Sequence, residues 1–268
     1  MTDRLLVALD IDGTVLHEDG TITDAVSAEV ARVRDAGHEV MLATGRAPAM
    51  TLPVLERLEL RCEYLVCSNG AITLRRDPDA IAGYKRVRVE TFDPTEVLLM
   101  VKESLESANY AVEDETGLYR YNGWFPDGSL SVTSEKVEFD ELLGRRATRV
   151  VVISPEHQTE EFLKIVEQMG LHKVSYNVGW TNWLDIAPDG VNKATALEQV
   201  RTDLGIPRGN VIAIGDGRND IDMLTWAAEH GHGVAMGDAP DEVRDVATFL
   251  APSGLDDGVA TALRDLVP

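Results

Sequence analysis

Two acidic clusters in this 268-residue sequence have the residue types and spacing to do chemistry: Asp10-Ile11-Asp12-Gly13-Thr14 and Gly215-Asp216-Gly217-Arg218-Asn219-Asp220. Each follows a short apolar run, residues 5–9 and 211–214. A run of that length has the character of a strand buried on both faces of a parallel sheet. Ligands in open α/β sheets bind beyond the carboxyl ends of the strands, so both acidic pairs fall at the active edge. Carboxylates there are costly to bury as charges without a counter-cation. A hard divalent ion such as Mg2+, which takes oxygen ligands, removes that cost. Either cluster alone also reads as a metal-free acidic turn, but two of them at two strand ends favour the metal.

Three further features lie at comparable positions. Thr44-Gly45-Arg46 ends the apolar run at residues 39–43. A threonine hydroxyl and free backbone N–H groups ahead of a helix form a phosphate cradle, although a threonine-glycine pair is equally an ordinary turn. Ser68-Asn69-Gly70 ends a third run, residues 64–67. Lys193 stands just past Asn192 at a helix start, where a cation opposes the positive end of the helix dipole. It is either a solvated lysine or a cation fixed near a dianion.

The elements that must hold these residues alternate. A helix with Val26, Val30 and Val33 on one face, closed by Gly37, separates the first two strands, and one carrying Leu52, Leu55 and Leu58 separates the second and third. This rhythm predicts βαβ units and a parallel sheet. The middle differs. Asp93-Pro94-Thr95-Glu96 opens a helix, and strands at 110–112, 118–121, 149–153, 174–178 and 183–186 surround one more helix at 159–169. Strands with fewer helices predict an α+β insert. The alternation resumes with a helix at 193–204, a strand at 211–214, a helix after Asp220, a short strand at 233–235 and a last helix at 259–266. The expected division is a Rossmann-like core from residues 1–83 and 186–268, with an inserted domain at 84–185.

The net charge is −21, which repels nucleic acid and anionic membranes and excludes both as partners. Any anionic substrate must be drawn in locally by a metal or a few placed cations. Two cysteines, Cys62 and Cys67, form no framework, as expected of a reduced, cytoplasmic protein. The apolar runs stop short of the roughly 18 residues a membrane span needs.

The set Asp10-x-Asp12-Gly13-Thr14, Thr44-Gly45-Arg46, Lys193 and Gly215-Asp216-Gly217-x-Asn219-Asp220 resembles the haloacid dehalogenase (HAD) superfamily. Its order and spacing are similar to the Cof-type branch, with a class IIB cap, over nearly the whole chain. Ser68-Asn69-Gly70 and the stretch from Leu184 to Lys193 resemble that branch too; Ala194 departs from it, where a glycine is common. The resemblance implies an α/β HAD core with an α+β cap. It implies a Mg2+-dependent phosphatase for small phosphorylated metabolites, above all sugar phosphates, working through an aspartyl-phosphate. Asp10 is then the nucleophile, and Asp12 the general acid and base. Asp10, Asp216, Asp220 and the Asp12 carbonyl hold the metal. Thr44, Lys193 and Asn219 hold the phosphoryl oxygens, Thr44 and Lys193 counting as catalytic with Asp10 and Asp12, and Gly45, Arg46 and Asn69 join them in binding substrate. Trp180, Trp183, Tyr176, Arg120 and His172 are candidate cap contacts. The alternatives are a phosphomutase with the same intermediate, or a phosphatase for a cofactor or nucleotide phosphate such as flavin mononucleotide or pyridoxal phosphate. A non-catalytic phosphometabolite-binding protein is disfavoured by the joint presence of Asp10, Asp12, Lys193 and Asp216.

Overall fold

The computed structural model describes residues 4–17, 19–105, 107–130, 133–171, 174–178 and 182–268. The chain begins β1 (Leu6–Leu9), α1 (Asp24–Asp35), β2 (Glu39–Leu42), α2 (Pro48–Arg57) and β3 (Tyr64–Cys67), then forms a hairpin, β4 (Ile72–Arg76) and β5 (Tyr84–Val89). The middle comprises α3 (Thr95–Ser104), β6 (Asn109–Glu113), β7 (Tyr119–Asn122), β8 (Ser134–Lys136), β9 (Arg149–Ile153), α4 (Thr159–Gln168), β10 (Val174–Val178) and β11 (Trp183–Pro188). The chain closes with α5 (Lys193–Asp203), β12 (Val211–Gly215), α6 (Ile221–Ala228), β13 (His232–Ala235), α7 (Asp241–Arg244), β14 (Phe249–Leu250) and α8 (Gly258–Leu266). Among the described residues no helix is long and apolar enough to cross a membrane.

The first sheet is parallel throughout, in the order β14-β13-β12-β1-β2. Its central strands, Leu-Val-Ala-Leu in β1 and Val-Ile-Ala-Ile in β12, are buried on both faces, as their unbroken apolar runs require. A parallel bridge from Ala43 to Val66 continues the sheet toward β3. In α1, Val26, Val30 and Val33 face this core, and the Thr23 hydroxyl accepts from the Val26 N–H at 3.2 Å to cap the helix. Each such fully buried side chain contributes about 1.5–3 kcal/mol.

The second sheet has six strands in the order β10-β11-β9-β6-β7-β8. Its period-two alternation gives it two different faces. Tyr110, Val112, Val150, Val152, Leu184 and Ile186 pack against α3 and α4, on Val97, Val101, Phe162 and Val166. The intervening residues Ala111, Val151 and Ile153 pack with Tyr119, Phe125 and Ala47, at the start of α2. The sheet therefore presents its second face to the first unit. Arg149 and Asp185 share that face, because Arg149 has the parity of Val151 and Asp185 pairs with Val151 in register.

The boundary expected at residues 83–84 divides an antiparallel trio. Tyr84–Val89 pairs with Ile72–Arg76, and the Tyr84 side chain packs on the first core cluster while its hydroxyl donates to the Cys62 carbonyl at 2.7 Å. These residues lie with the parallel sheet rather than with the insert. At the other end the six-stranded sheet runs on to Pro188. The hairpin leaves no pattern in the sequence because Tyr-Lys-Arg-Val-Arg-Val is a largely exposed edge with little apolar burial.

Gly70 joins the turn after β3 to the start of α5. Its φ is +100°, and a Cβ there would lie 2.2 Å from the Asn192 carbonyl oxygen. Gly70→Ala is expected to cost more than about 2 kcal/mol, combining the left-handed penalty with backbone overlap. Gly190→Ala, at φ +71° with nothing within 4 Å, should carry only the conformational cost of about 1–2 kcal/mol. Denaturant unfolding of the two variants tests this; equal losses would show that the contact with Asn192 constrains nothing.

Candidate active site

The carboxyl ends of β1 and β12 bring Asp10, Asp216 and Asp220 together. One carboxylate oxygen of each lies within 4.8 Å of the others, and all three residues are buried. Lys193, fully buried at the start of α5, donates from Nζ to Asp10 Oδ1 and to Asp220 Oδ1, each at 2.7 Å. Its helix is set by Asn192, whose Oδ1 accepts from the Thr195 N–H at 2.9 Å. Asp220 Oδ2 accepts from the N–H groups of Asp216 at 3.1 Å and Gly217 at 3.0 Å. Asp216 Oδ1 accepts from the Thr14 hydroxyl at 2.9 Å. Gly13 has φ +76°, and a Cβ on it would lie 2.2 Å from Asp216 Oδ2, so only glycine lets the first motif approach the second.

Three carboxylates beside one ammonium leave two negative charges unbalanced when all are ionised. Burial, reinforced by Asp220, raises Asp10 to about 7. Burial, reinforced by Asp10, raises Asp216 to about 8. Burial works against the charge on Lys193, but Asp10 and Asp220 outweigh it and hold the ammonium above the ordinary lysine range. The site therefore favours positive charge. Asp10 Oδ2 and Asp216 Oδ2 accept no hydrogen bond among the described residues, and all the donors are oxygens. Charge, donor type and spacing fit a hard divalent cation.

Asp12 stands outside this triad. Its carboxylate is 62% exposed and is gripped in a fork by Arg46, Nε to Oδ2 at 2.8 Å and Nη2 to Oδ1 at 2.5 Å. It faces the cavity, whereas the metal contact expected of this residue runs through its backbone carbonyl. Thr44 is buried, its hydroxyl accepting from the Arg46 N–H at 3.1 Å. The turn after β3 locks onto this loop, Ser68 N–H to the Arg46 carbonyl at 2.9 Å and Asn69 N–H to the Thr44 carbonyl at 3.0 Å. Ser68 and Asn69 both have positive φ, 49° and 51°, an uncommon backbone for non-glycine residues. Asn69 Oδ1 accepts from Asn219 Nδ2 at 3.2 Å. The structure thus gathers Asp10, Asp12, Thr44, Gly45, Arg46, Asn69, Lys193, Asp216, Asn219 and Asp220 around one place.

A cavity of about 400 Å3 opens above it, the size of a small-metabolite pocket. Asp10, Asp12, Asp216 and Asn219 line its floor, with Gly45 and Arg46 at the side. The second sheet supplies the rest through Arg149, Trp183 and Asp185, together with Asp127 and Ser129 from the loop after β7. Of the expected cap contacts, Trp183 lines the cavity. Tyr176 and Arg120 do not; Arg120 pairs with Asp114 at 3.1 Å and Glu135 at 3.5 Å. Trp180 and His172 lie outside the described residues.

Sequence reasoning passed over Arg149, Asp127 and Ser129, and assigned no role to Asp185. The available signal was charge at an otherwise apolar strand, Arg149 heading Val-Val-Val-Ile and Asp185 set between Leu184 and Ile186. It also missed Glu113, a fully buried carboxylate on β6 that accepts from the Ser68 hydroxyl at 2.9 Å and the Tyr119 hydroxyl at 3.1 Å. Burial raises its pKa, against the lowering influence of Arg149.

The chain is similar to characterised proteins over nearly its full length. It is 28% identical to the 5-amino-6-(5-phospho-D-ribitylamino)uracil phosphatase YitU of Bacillus subtilis, covering 98% of each chain. It is 28% identical to the pyridoxal phosphate phosphatase YbhA of Escherichia coli, covering 97% of each. Its fold matches that of the HAD subclass IIB sugar phosphatase BT4131 with a TM-score of 0.80 at 19% identity, over 97% of this chain and 98% of the other. The profile of the haloacid dehalogenase-like hydrolases matches residues 7–263, and with the acidic clusters at the ends of β1 and β12 it establishes that the chain belongs to that family.

Proposed function

We propose that this protein is a Mg2+-dependent phosphatase that hydrolyses small phosphate monoesters, sugar phosphates foremost, through an aspartyl-phosphate on Asp10. The observation that carries the reading is the juxtaposition of a buried, cation-seeking carboxylate triad with Asp12, which points into a metabolite-sized cavity. Asp10, Asp216 and Asp220, with the Asp12 carbonyl, would hold the ion. When bound, it neutralises charge on the phosphoryl group and on the carboxylates around it.

The chain's own residues do the rest. Lys193 orients the Asp10 carboxylate and keeps a fixed positive charge beside the incoming dianion. The Asp10 carboxylate attacks phosphorus, and the alkoxide leaves as Asp12 gives it a proton. Asp12 then takes a proton from the water that attacks the aspartyl-phosphate, releasing inorganic phosphate and restoring Asp10. Arg46 holds Asp12 at the cavity face. Thr44, Gly45, Asn69 and Asn219 form the cradle for the phosphoryl oxygens. The six-stranded unit, expected from sequence at residues 84–185, is the cap that excludes bulk water and contacts the leaving group. The buried free thiols Cys62 and Cys67 agree with a cytoplasmic, reducing location. The likeness to a pyridoxal phosphate phosphatase favours a cofactor phosphate as the second reading.

Phosphate release from sugar phosphates, flavin mononucleotide, pyridoxal phosphate and p-nitrophenyl phosphate tests the assignment. Asp10→Asn should lose at least about a thousandfold in kcat while its circular dichroism matches wild type. Retained turnover would remove Asp10 as nucleophile. A phosphomutase would leave p-nitrophenyl phosphate largely intact. Chelation with EDTA should stop release and added Mg2+ should restore it; turnover in EDTA would refute the metal.

The metal-free protein should also respond to pH. Asp10 and Asp216 hold protons more tightly folded than unfolded, so their contribution to stability is full below about pH 4. It is lost as pH rises through about 7 and about 8. Ion binding displaces those protons. The increase in Tm on adding Mg2+ should therefore be larger at pH 8 than at pH 6, and an increase that shrinks with pH would contradict the carboxylate site.

A further inference from the structure

We propose that Asp185, held rigid by Arg149, selects leaving groups that carry hydroxyls and no second negative charge. The proposal rests on the phosphatase reading and adds the class of substrate. Arg149 is 8% exposed, and four of its five N–H groups are committed. Nε and Nη2 fork onto Asp185 Oδ1 at 2.6 Å and Oδ2 at 2.7 Å, while Nη1 reaches the Gly45 carbonyl at 2.8 Å and the Tyr119 hydroxyl at 3.2 Å. A guanidinium so occupied, its charge already matched by Asp185, has little left with which to attract a substrate anion. It anchors Asp185 to the loop that cradles the phosphoryl group.

Each Asp185 oxygen takes one guanidinium hydrogen and keeps a lone pair. The side chain remains 16% exposed, on the cavity wall. A hydroxyl on the leaving group meets there an acceptor already fixed in place, so little ordering is needed to bind it. Asp127 adds a second carboxylate to the same wall, Ser129 a hydroxyl and Trp183 an aromatic surface. The other cation at the cavity, Arg46, is forked to Asp12. Among the described residues, the wall beyond the phosphoryl cradle thus offers acceptors and no uncommitted positive charge. A carboxylate or second phosphate on the leaving group would meet, at Asp185 and Asp127, carboxylate oxygens that can only accept, and an acceptor-to-acceptor contact of this kind is a means of rejection.

The test uses the full-length protein with Mg2+ and a matched pair of six-carbon open-chain monophosphates. Sorbitol 6-phosphate ends in a hydroxymethyl group where 6-phosphogluconate ends in a carboxylate, and p-nitrophenyl phosphate reports the basic reaction. The expected result is a kcat/KM for sorbitol 6-phosphate at least about tenfold above that for 6-phosphogluconate, since like charges at such a contact are strongly unfavourable. Asp185→Asn should cut that ratio to about threefold or less, with the change in KM. Arg149→Gln combined with Asp185→Asn, which removes both members of the ion pair together, should do the same and guards against misfolding of the single variant. Equal or better use of 6-phosphogluconate by wild type, with p-nitrophenyl phosphate hydrolysed, would overturn this inference and leave the phosphatase standing. A preference that survives in both variants, with their Tm confirming folding, would overturn Asp185 as its source. Failure to hydrolyse all three compounds would overturn this inference together with the sugar-phosphate reading on which it rests.

Discussion

A water-poor space holding three carboxylates and one ammonium constrains the rest of the structure. Asp10 and Asp216 cannot retreat to solvent, because β1 and β12 are locked in register up to the pair Leu9 and Ile214, which stand one residue before Asp10 and two before Asp216. Asp220 is pinned by Lys193 and two backbone N–H groups. The charge is then relieved by protons, the direction taken by Asp10 and Asp216, or by a cation. Relief by a cation would also serve the phosphate dianion of the proposed reaction, since an overall charge of −21 provides no attraction of its own.

The second sheet shows how one strand serves two purposes through its alternation. In β9, Val150 and Val152 close the core against α3 and α4, while Arg149, Val151 and Ile153 look toward the first unit. The same parity carries Glu113 on β6 and Asp185 on β11 to that face, because they pair with Arg149 and Val151. Among the hydrogen bonds that cross between the units are those from Arg149 to the Gly45 carbonyl and from Ser68 to Glu113. Both end on the turns that carry Thr44 and Asn69. The geometry of the proposed phosphoryl cradle is in this way coupled to the insert as well as to its own sheet. Among the described residues Glu113 Oε1 is buried without a hydrogen-bond partner, a cost accepted at the same junction.

Much of the fold was legible because its signals are local. Apolar runs of four or five residues mark β1, β2, β3 and β12, and the 3.6-residue spacing of Val26, Val30 and Val33 marks α1. The strand-end motifs with Asp10, Asp216 and Asp220 were legible for the same reason, since strand, turn and carboxylate adjoin in the chain. The β4–β5 hairpin was not, because its exposed, cationic edge carries no burial pattern. Burial of Lys193 was equally hidden: a lysine past an N-cap looks solvated until the residue 183 positions away arrives beside it.

What the sequence determined by itself was therefore the alternation of elements, the insert between two halves of a parallel core, and the chemical types brought to the strand ends. Tertiary structure alone decided which charges meet. Arg149 finds Asp185 across 36 residues and the Gly45 carbonyl across 104, and nothing in the local pattern of either strand encodes that partner. The reason is physical: propensity and periodicity act over one or two turns of chain, whereas a buried ion pair exists only once sheet order and register have brought distant segments within reach of each other.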